Sequence, residues 1–545
     1  MDFKEELISS IKKQLNEPFT LEIPPSLEMG NFSLPCFKLS KKAPELQKLL
    51  KLPSFIEKTE IKGQYLNFFI NKDIFTTQTI NHILKEKDKF GSNQSGKNKK
   101  ALVEHTSINP NASPHLGRAR NAIIGDSIVR LLRFEGYKVE THYYVNDIGK
   151  QIAMLVLAAG NKKPSFHDLL HLYIQFNEKL EKDPSLEKEV FTLLNKLESG
   201  DKKIVSSFRN IVSTCIKGQS KILNELDIKF DHFDFESDFL FNKSTDKILA
   251  ELKKKGKLFT DEEKRECINL EGFNLAMENP YLPLTRNDNT SLYILRDIAY
   301  NIHKISRVKD RNIIILGEDQ KLYFQQLKTI LSILGYEAPE VIHYSFVLLP
   351  SGKMSTRKGE VVLLEDFMNE LKEKSKEEIL KRDKSSNPEK VAKIIGYGAL
   401  KFTFLKVSSD KNITFDIEKS LTFEGDTGPY VQYSYARASS ILNKSDIKFA
   451  KIKPFLSSNI EYQLVNKLSI FNYIIKTSIE QLHPHIITNY SLELAKLFNE
   501  FYHQCPVINE SNKDIQAFRL ALVQSTRQVL KNSLLLLGIE CPEQM

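Results

Sequence analysis

Apolar residues Ile124, Ile128, Leu131 and Leu132 recur at i, i+4, i+7 and i+8, the spacing of one helix face, and Gly136 stands where such a helix would stop. Ahead of them ALVEHTSI reads as a short strand, and behind them KVETHYYVND resumes strand character. Strand, turn, helix and strand at these lengths make a βαβ crossover, which predicts a parallel sheet. RNIIILGED (311–319) and EVIHYSFVLL (340–349) read as further strands of it. This α/β domain is expected over residues 101–385. It carries a lysine-rich helical insertion at about 160–235, whose alternating charges suit a solvated face.

The flanking patterns differ. Residues 1–88 predict a small α/β domain: a helix from about Phe3 to Leu15, then MGNFSLPCFKLSKKAPELQKLL, a strand in IKGQYLNFFINK and one more helix. Residues 89–100 are polar and rich in Gly, Asn and Lys, and read as a linker. From 386 to 545 the pattern is helical. LVNKLSIFNYIIKTSIEQL and IQAFRLALVQSTRQVLKNSLLLLGI are amphipathic and long enough for an all-α bundle. No internal repeat is present.

Composition narrows this only a little. A chain of 545 residues exceeds what one core serves, and 41% hydrophobic with 27% charged residues is ordinary for a soluble globular protein. The formal charge of +9 suits a polyanionic partner without demanding one. Five widely spaced cysteines with no Cys-x-x-Cys argue against a disulfide framework or a structural zinc site, and a reducing cytoplasm is the plain reading. The first twenty residues lack the apolar core of a signal peptide, and no run of about 18 apolar residues would span a membrane.

The chain has no G-x-x-x-x-G-K-[ST], G-x-G-x-x-G or H-E-x-x-H. Two stretches stand out instead. In NPNASPHLGRARNAIIGD (109–126), the turn SPHLGR falls between the carboxyl end of a strand and a helix N-terminus, where open α/β sheets bind ligands. Gly117 allows close backbone approach, helix amides suit a phosphate, and His115 can hydrogen-bond its oxygens. A capping histidine beside a packing glycine fits the same residues. In SGKMSTRKGEVVLLEDF (351–367), Lys353, Arg357 and Lys358 crowd with Ser355 and Thr356 between Gly352 and Gly359. Such a cationic loop could meet a triphosphate as charge develops, or could simply be solvated.

Together these stretches resemble the paired "HIGH" and "KMSKS" signatures of class I aminoacyl-tRNA synthetases. EHTSINPNASPHLGRARNAIIGD, LYILRDIAYNIHK (292–304), GDTGPYVQYSYARASSIL (425–442) and the terminal LLLLGIECPEQM are similar to the arginyl-tRNA synthetases, as are MGNFSL and YLNFFI near the N-terminus. The resemblance runs essentially end to end. It implies a class I Rossmann-like parallel-sheet catalytic domain, an N-terminal domain binding the tRNA D-loop, and an α-helical anticodon-binding domain. It also implies ATP-dependent activation of L-arginine to arginyl-adenylate, transfer to the 3′ end of tRNA(Arg), Mg²⁺ accompanying ATP, and a monomer in the cytoplasm.

By the same resemblance His115, Gly117, Lys353, Met354 and Ser355 bind ATP, while Arg118, Arg357 and Lys358 act with His115, Gly117 and Lys353 in catalysis. Glu104 and Asp297 would grip the guanidinium, Tyr293 would close the pocket, Asn109 would bind the α-amino or carboxylate group, and Gln320, with Asp319, would touch ribose or substrate. Asp147 and Gln151 resemble a motif near the active site. Tyr65 and Asn67 would read a D-loop base, and Tyr430, Gln432, Tyr433 and Arg437 would meet the anticodon arm. No residue is assigned to a dedicated metal site. Two departures from the family pattern stand out: Arg118 replaces the usual second histidine, and Thr356 replaces the usual last lysine. Arg357, Lys358 or Arg118 would supply the missing charge. Two other readings remain at this level: a non-catalytic tRNA-binding module, and a nucleotidylyltransferase, which leaves DTGPYVQY and the helical C-terminal region unexplained.

Overall fold

The computed structural model describes residues 3–350, 352–353, 362–381, 387–445 and 454–545. Its centre is a five-stranded sheet in the order Glu340–Tyr344, Arg311–Gly317, Lys100–Glu104, Lys138–Val145 and His232–Phe235. Every pairing in it is parallel. The strand earliest in the chain is therefore central. The chain first adds strands on one side, then returns to add Arg311–Gly317 and Glu340–Tyr344 on the other. The order reverses between Lys100–Glu104 and Arg311–Gly317, so the crevice beyond their carboxyl ends is where this topology binds ligands. Ala101, Leu102 and Val103 are fully buried, as a strand covered on both faces requires.

Helix Leu116–Phe134 buries Ile124, Ile128, Leu131 and Leu132, the face that the spacing predicts. It also buries Arg120, whose guanidinium donates to the carbonyls of Ser345 (2.7 Å), Lys411 (2.7 Å) and Ser408 (3.1 Å). The insertion supplies helices Phe166–Lys182, Leu186–Glu198 and Lys202–Glu225, but His232–Phe235 at its end is an edge strand of the central sheet. EVIHYSFVLL divides in two. Glu340–Tyr344 stays in the central sheet, while Val347–Leu349 pairs with Gly352–Lys353 and Ile413–Thr414 in a separate three-stranded sheet. The switch comes at Ser345, whose N–H donates to the carbonyl of Ser409 (2.9 Å).

In the N-terminal region Phe32–Pro35, Tyr65–Ile70 and Ile56–Lys62 form an antiparallel sheet. IKGQYLNFFINK is therefore not one strand; it turns at Gly63, whose φ of +61° suits a residue without Cβ. Residues 89–100 are clamped despite their polar composition. The Glu135 carboxylate, just past helix Leu116–Phe134, accepts from the N–H groups of Asn93 (2.8 Å) and Ser95 (3.0 Å) and from Ser95 Oγ (2.7 Å). Phe90 is buried and stacks on Phe471 at 6.2 Å between centroids.

Towards the C-terminus, helices Pro388–Lys406, Gly428–Asn443, Asn459–Ser469, Phe471–Gln481, His485–Gln504 and Lys513–Leu536 build the helical domain. Its end is fastened to the central α/β region. Ser127 Oγ donates to the Leu536 carbonyl (3.1 Å), and Lys401 Nζ donates to the carbonyls of Gly538 (2.6 Å) and Leu226 (2.5 Å). Among the described residues no helix is long and apolar enough to cross a membrane.

Candidate active site

Beyond Glu104 the chain leaves the sheet through Thr106 (φ +76°) and Ser107 (φ +43°), a left-handed turn that a β-branched residue adopts only when its surroundings enforce it. Asn121 enforces it. Its Oδ1 accepts from the Thr106 N–H (2.6 Å) while its Nδ2 donates to the Ile315 carbonyl (2.9 Å), so one helix side chain ties both strands of the switch point. Gly125, one turn on, faces the His105 ring, and a Cβ there would lie 2.2 Å from it. The buried His105 is pushed down to about 3 by desolvation and stays neutral.

His115 precedes helix Leu116–Phe134 and pairs with Leu363 in an antiparallel bridge. The Leu116 N–H donates to the Val362 carbonyl (3.0 Å), and the Leu364 N–H donates to the Pro114 carbonyl (2.8 Å). The PHLG turn is thereby joined by main-chain bonds to the residues that follow the second signature. Burial, with Arg118 adding to it, pushes His115 down to about 4, so its ring is an uncharged hydrogen-bonding group at neutral pH. Gly117 is half-buried in the first helical turn and Arg118 is exposed. The backbone of Gly352 and Lys353 pairs with Leu349 and Leu348. The Lys353 side chain and the calls on Met354, Ser355, Thr356, Arg357 and Lys358 lie outside the described residues.

An acidic slot lies beside the switch point, bordered by helix Tyr293–Arg307, which contributes Asp297. Most of its acids already have partners. Glu236 pairs with Arg296 Nε (2.5 Å), Asp234 with His142 Nδ1 (2.5 Å) and Tyr300 (2.9 Å), and Glu104 with the buried Lys304. Asp147 accepts from the Ser237 N–H (2.8 Å) and Oγ (2.6 Å). Asp297 differs: it accepts from the Tyr323 hydroxyl, and it forms no ion pair among the described residues. Desolvation pushes its carboxyl up to about 6, Tyr323 opposing and Glu104 adding to the rise. Around it Tyr144 stacks on Tyr300 (centroids 4.3 Å apart, planes 10° apart), and Tyr293, 57% exposed at the mouth, tilts against Tyr323 at 5.4 Å. Glu236 Oε2 is buried without a hydrogen-bond partner among the described residues, and the Tyr144 hydroxyl joins Tyr323 in opposing the rise at Asp297. A planar, always charged group with five donors matches this set of empty acceptors.

Glu104, expected to grip the guanidinium with Asp297, already has a cation beside it. Its charge is met by Lys304, which sequence reading missed although Asp297, Tyr300 and Lys304 fall at i, i+3 and i+7 on one helix face. Tyr323, Tyr144 and Glu236 were missed because other elements bring them in.

Asn109 is exposed, and its Nδ2 donates to Gln151 Oε1 (3.2 Å), whose Nε2 donates to Tyr173 (3.2 Å). Gln219, on helix Lys202–Glu225, is fully buried and donates to the carbonyls of Asn109 (3.1 Å) and Ala112 (2.9 Å). The insertion thus braces the signature loop, beyond the solvated face expected of it. Gln320 Nε2 donates to Asp319 Oδ2 (3.2 Å) at the start of helix Lys321–Leu334.

Of the residues expected to meet RNA, Gln432 must be withdrawn. It is fully buried and donates to the carbonyls of Ile394 (3.1 Å) and Glu540 (2.9 Å), which leaves it no surface. Asn67 is also buried and accepts from Ser33 Oγ (2.6 Å), while Tyr65 is half-buried with its ring edge against the exposed Phe37. Tyr430, Tyr433 and Arg437 line an open groove with Phe423 and His503. The Arg437 guanidinium lies 4.8 Å from the Tyr433 ring and 5.0 Å from the Tyr502 ring, and Asn499 Oδ1 fixes it (2.6 Å).

Comparison with known proteins agrees along the whole chain. The family profile "Arginyl tRNA synthetase N terminal domain" matches residues 2–70, "tRNA synthetases class I (R), catalytic domain" matches 79–417, and "DALR anticodon binding domain" matches 431–545. The arginine–tRNA ligase of Methanosphaera stadtmanae is 38% identical over 99% of this chain and 98% of its own. That of Methanocaldococcus jannaschii is 36% identical over the full length of both. The solved arginyl-tRNA synthetase of Thermus thermophilus superposes with a TM-score of 0.84 at 26% identity, covering 99% of each chain.

Proposed function

Because this chain belongs to the arginyl-tRNA synthetase family, we propose that its acidic slot holds the guanidinium of L-arginine on Asp297 and that its PHLG turn receives ATP. The chain is an arginine–tRNA ligase, with ATP, L-arginine and tRNA as substrates. In the first step the arginine carboxylate attacks the α-phosphorus of ATP, the bond to the bridging oxygen breaks, and pyrophosphate leaves. In the second, a ribose hydroxyl at the tRNA 3′ end attacks the carbonyl carbon of the adenylate, and AMP leaves with the bonding pair.

The protein contributes position and charge rather than covalent chemistry. Asp297 anchors the side chain, Tyr323 aims the carboxylate, and Tyr293 covers the slot. Asn109, held towards Gln151, faces the α-amino or carboxylate group. Neutral His115 donates to phosphate, and Arg118 brings the cation that the turn lacks without a second histidine. Lys353, Arg357 and Lys358 hold the departing pyrophosphate. Magnesium arrives with ATP and screens its phosphates. The phosphates of ATP would carry the ion. Tyr430, Tyr433 and Arg437 take anticodon-arm bases by stacking, and Tyr65 takes a D-loop base. The enzyme works as a cytoplasmic monomer, in keeping with five free cysteines.

The observation that carries this reading is that Asp297 forms no ion pair among the described residues. Lysine or citrulline would leave its acceptors poorly matched. Arginine-dependent exchange of pyrophosphate into ATP, measured with tRNA(Arg) added, tests it. Asp297→Ala abolishes arginine use while tRNA affinity stays near native; unchanged arginine kinetics would sink the assignment.

A further inference from the structure

His142 and His232 face each other directly across the parallel pairing of Lys138–Val145 with the edge strand His232–Phe235. Glu140 lies two residues before His142, hence on the same side of the sheet, and Asp234 two residues after His232. The pleat therefore gathers two imidazoles and a carboxylate at one spot, with a second carboxylate behind them. The imidazole centroids are 4.6 Å apart. Glu140 Oε2 lies 3.5 Å from His142 Nε2 and 3.9 Å from His232 Nε2, and one ligand atom from each of the three residues falls within 4.8 Å of the other two.

The hydrogen bonds define which ring nitrogens are free to ligate. The Asp234 carboxylate, 2.5 Å from His142 Nδ1, only accepts, so Nδ1 bears a proton, while Nε2 lies 3.5 Å from Glu140 Oε2 and any proton shared there must leave when a metal binds. A guanidinium only donates. Arg307 Nη2, 2.9 Å from His232 Nε2, therefore marks a lone pair on that nitrogen. Asp234 is itself held by the Tyr300 hydroxyl (2.9 Å). A histidine oriented through its far nitrogen by an anchored carboxylate is the usual support of a metal ligand. His142 is buried, while Glu140 and His232 keep 23% and 38% of their side-chain surface exposed, which leaves a path from solvent.

We propose that Glu140, His142 and His232 bind a divalent transition-metal ion of the zinc type. Two imidazole nitrogens and one carboxylate oxygen form a donor set suited to such an ion, with solvent completing its coordination. Arg307 meets the same acceptors: its Nε is 2.5 Å from Glu140 Oε2 and its Nη2 contacts His232. Metal and guanidinium compete for the same two ligand atoms, so Arg307 sets the affinity.

The test uses the full, untagged chain stripped of metal. Co²⁺ is titrated while its ligand-field absorption is followed, and Zn²⁺ is titrated in competition with a chromophoric chelator. One equivalent is expected to bind. His232→Ala and Glu140→Gln, both at the surface, should each weaken it by about tenfold or more, and Arg307→Met should tighten it by about tenfold. Thermal midpoints check that each variant is folded, and His483→Ala controls for the His483–His485 pair, whose ring centroids lie 5.0 Å apart. Absence of stoichiometric binding to the native chain, binding that His232→Ala leaves unchanged, or an affinity that Arg307→Met does not raise would overturn the proposal.

Discussion

Lys304 and Glu104 form a buried ion pair across 200 residues of sequence, joining the helix that carries Asp297 to the end of the central strand. The pair sets the charge of the slot by leaving Asp297 as the acid that an incoming cation must meet. Lys304→Met should destabilise the fold by about 3–5 kcal/mol, because it strands a buried carboxylate. Adding Glu104→Gln should recover most of that loss. Urea unfolding of the two single variants and the double variant measures it, and additive losses would show that the pair is not coupled.

The Asp297 carboxyl rises to about 6, against about 3.9 in an unfolded chain. Between these values the folded protein holds a proton that the unfolded chain releases. Stability from this group is thus fully present below about pH 4 and is lost as pH rises through about 6. Arginine binding runs the opposite way, since the guanidinium needs the anion. The rise in thermal midpoint produced by saturating arginine should grow from about pH 5 to about pH 8, with its inflection near 6.

At the PHLG turn, His115 stays neutral and Arg118 carries the charge. Removing one donor that meets developing charge lowers a rate by about 10²–10³, the loss expected of His115→Ala in adenylate formation. Arg118→His should slow the same step by about ten- to a hundredfold, the worth of one charged hydrogen bond. Pyrophosphate exchange reads both, and full activity in Arg118→His would mean the phosphate charge is met elsewhere.

Gln432 and Arg437 share one helix and should respond differently. Gln432→Ala removes the buried hydrogen bonds to the carbonyls of Ile394 and Glu540, at a cost of about 1–3 kcal/mol together, yet should leave KM for tRNA unchanged in folded protein. Arg437→Ala removes the cation between Tyr433 and Tyr502 and should raise KM for tRNA by about tenfold, in line with base stacking of about 1–3 kcal/mol. Aminoacylation kinetics beside thermal melts separate the two.

Local spacing made the crossover unit legible. The face holding Ile124, Ile128, Leu131 and Leu132 is the buried one, and the strands around it are parallel because a helix joins them. The same spacing fails wherever a distant residue decides the outcome. Gln219 sits in a charged helix and looks solvated until the Asn109 loop folds onto it. Composition makes residues 89–100 a linker, whereas the single carboxylate of Glu135 collects their donors. HFDF is too short to show a period, yet it closes the sheet edge. At the candidate site the two signature stretches were legible as motifs, but Tyr323 and Tyr144 were not, because each reaches Asp297 through tertiary geometry alone, and the helical spacing that aligns Lys304 with Asp297 does not name Glu104 as its partner.

The strand order has a consequence for how the chain is born. Lys100–Glu104 is the first strand of the sheet to be made, yet it must end at the middle, flanked by Arg311–Gly317 from far downstream. Until those residues leave the ribosome, one edge of the future central strand has no partner, and the sheet under the helix bearing Asp297 and Lys304 is only half built. Closing a loop of that length is slow, and an open apolar strand edge invites wrong partners. The vulnerable moment of this enzyme is therefore a nascent chain a little over half made, and synonymous changes that slow translation ahead of residue 311 should show first as lost soluble yield.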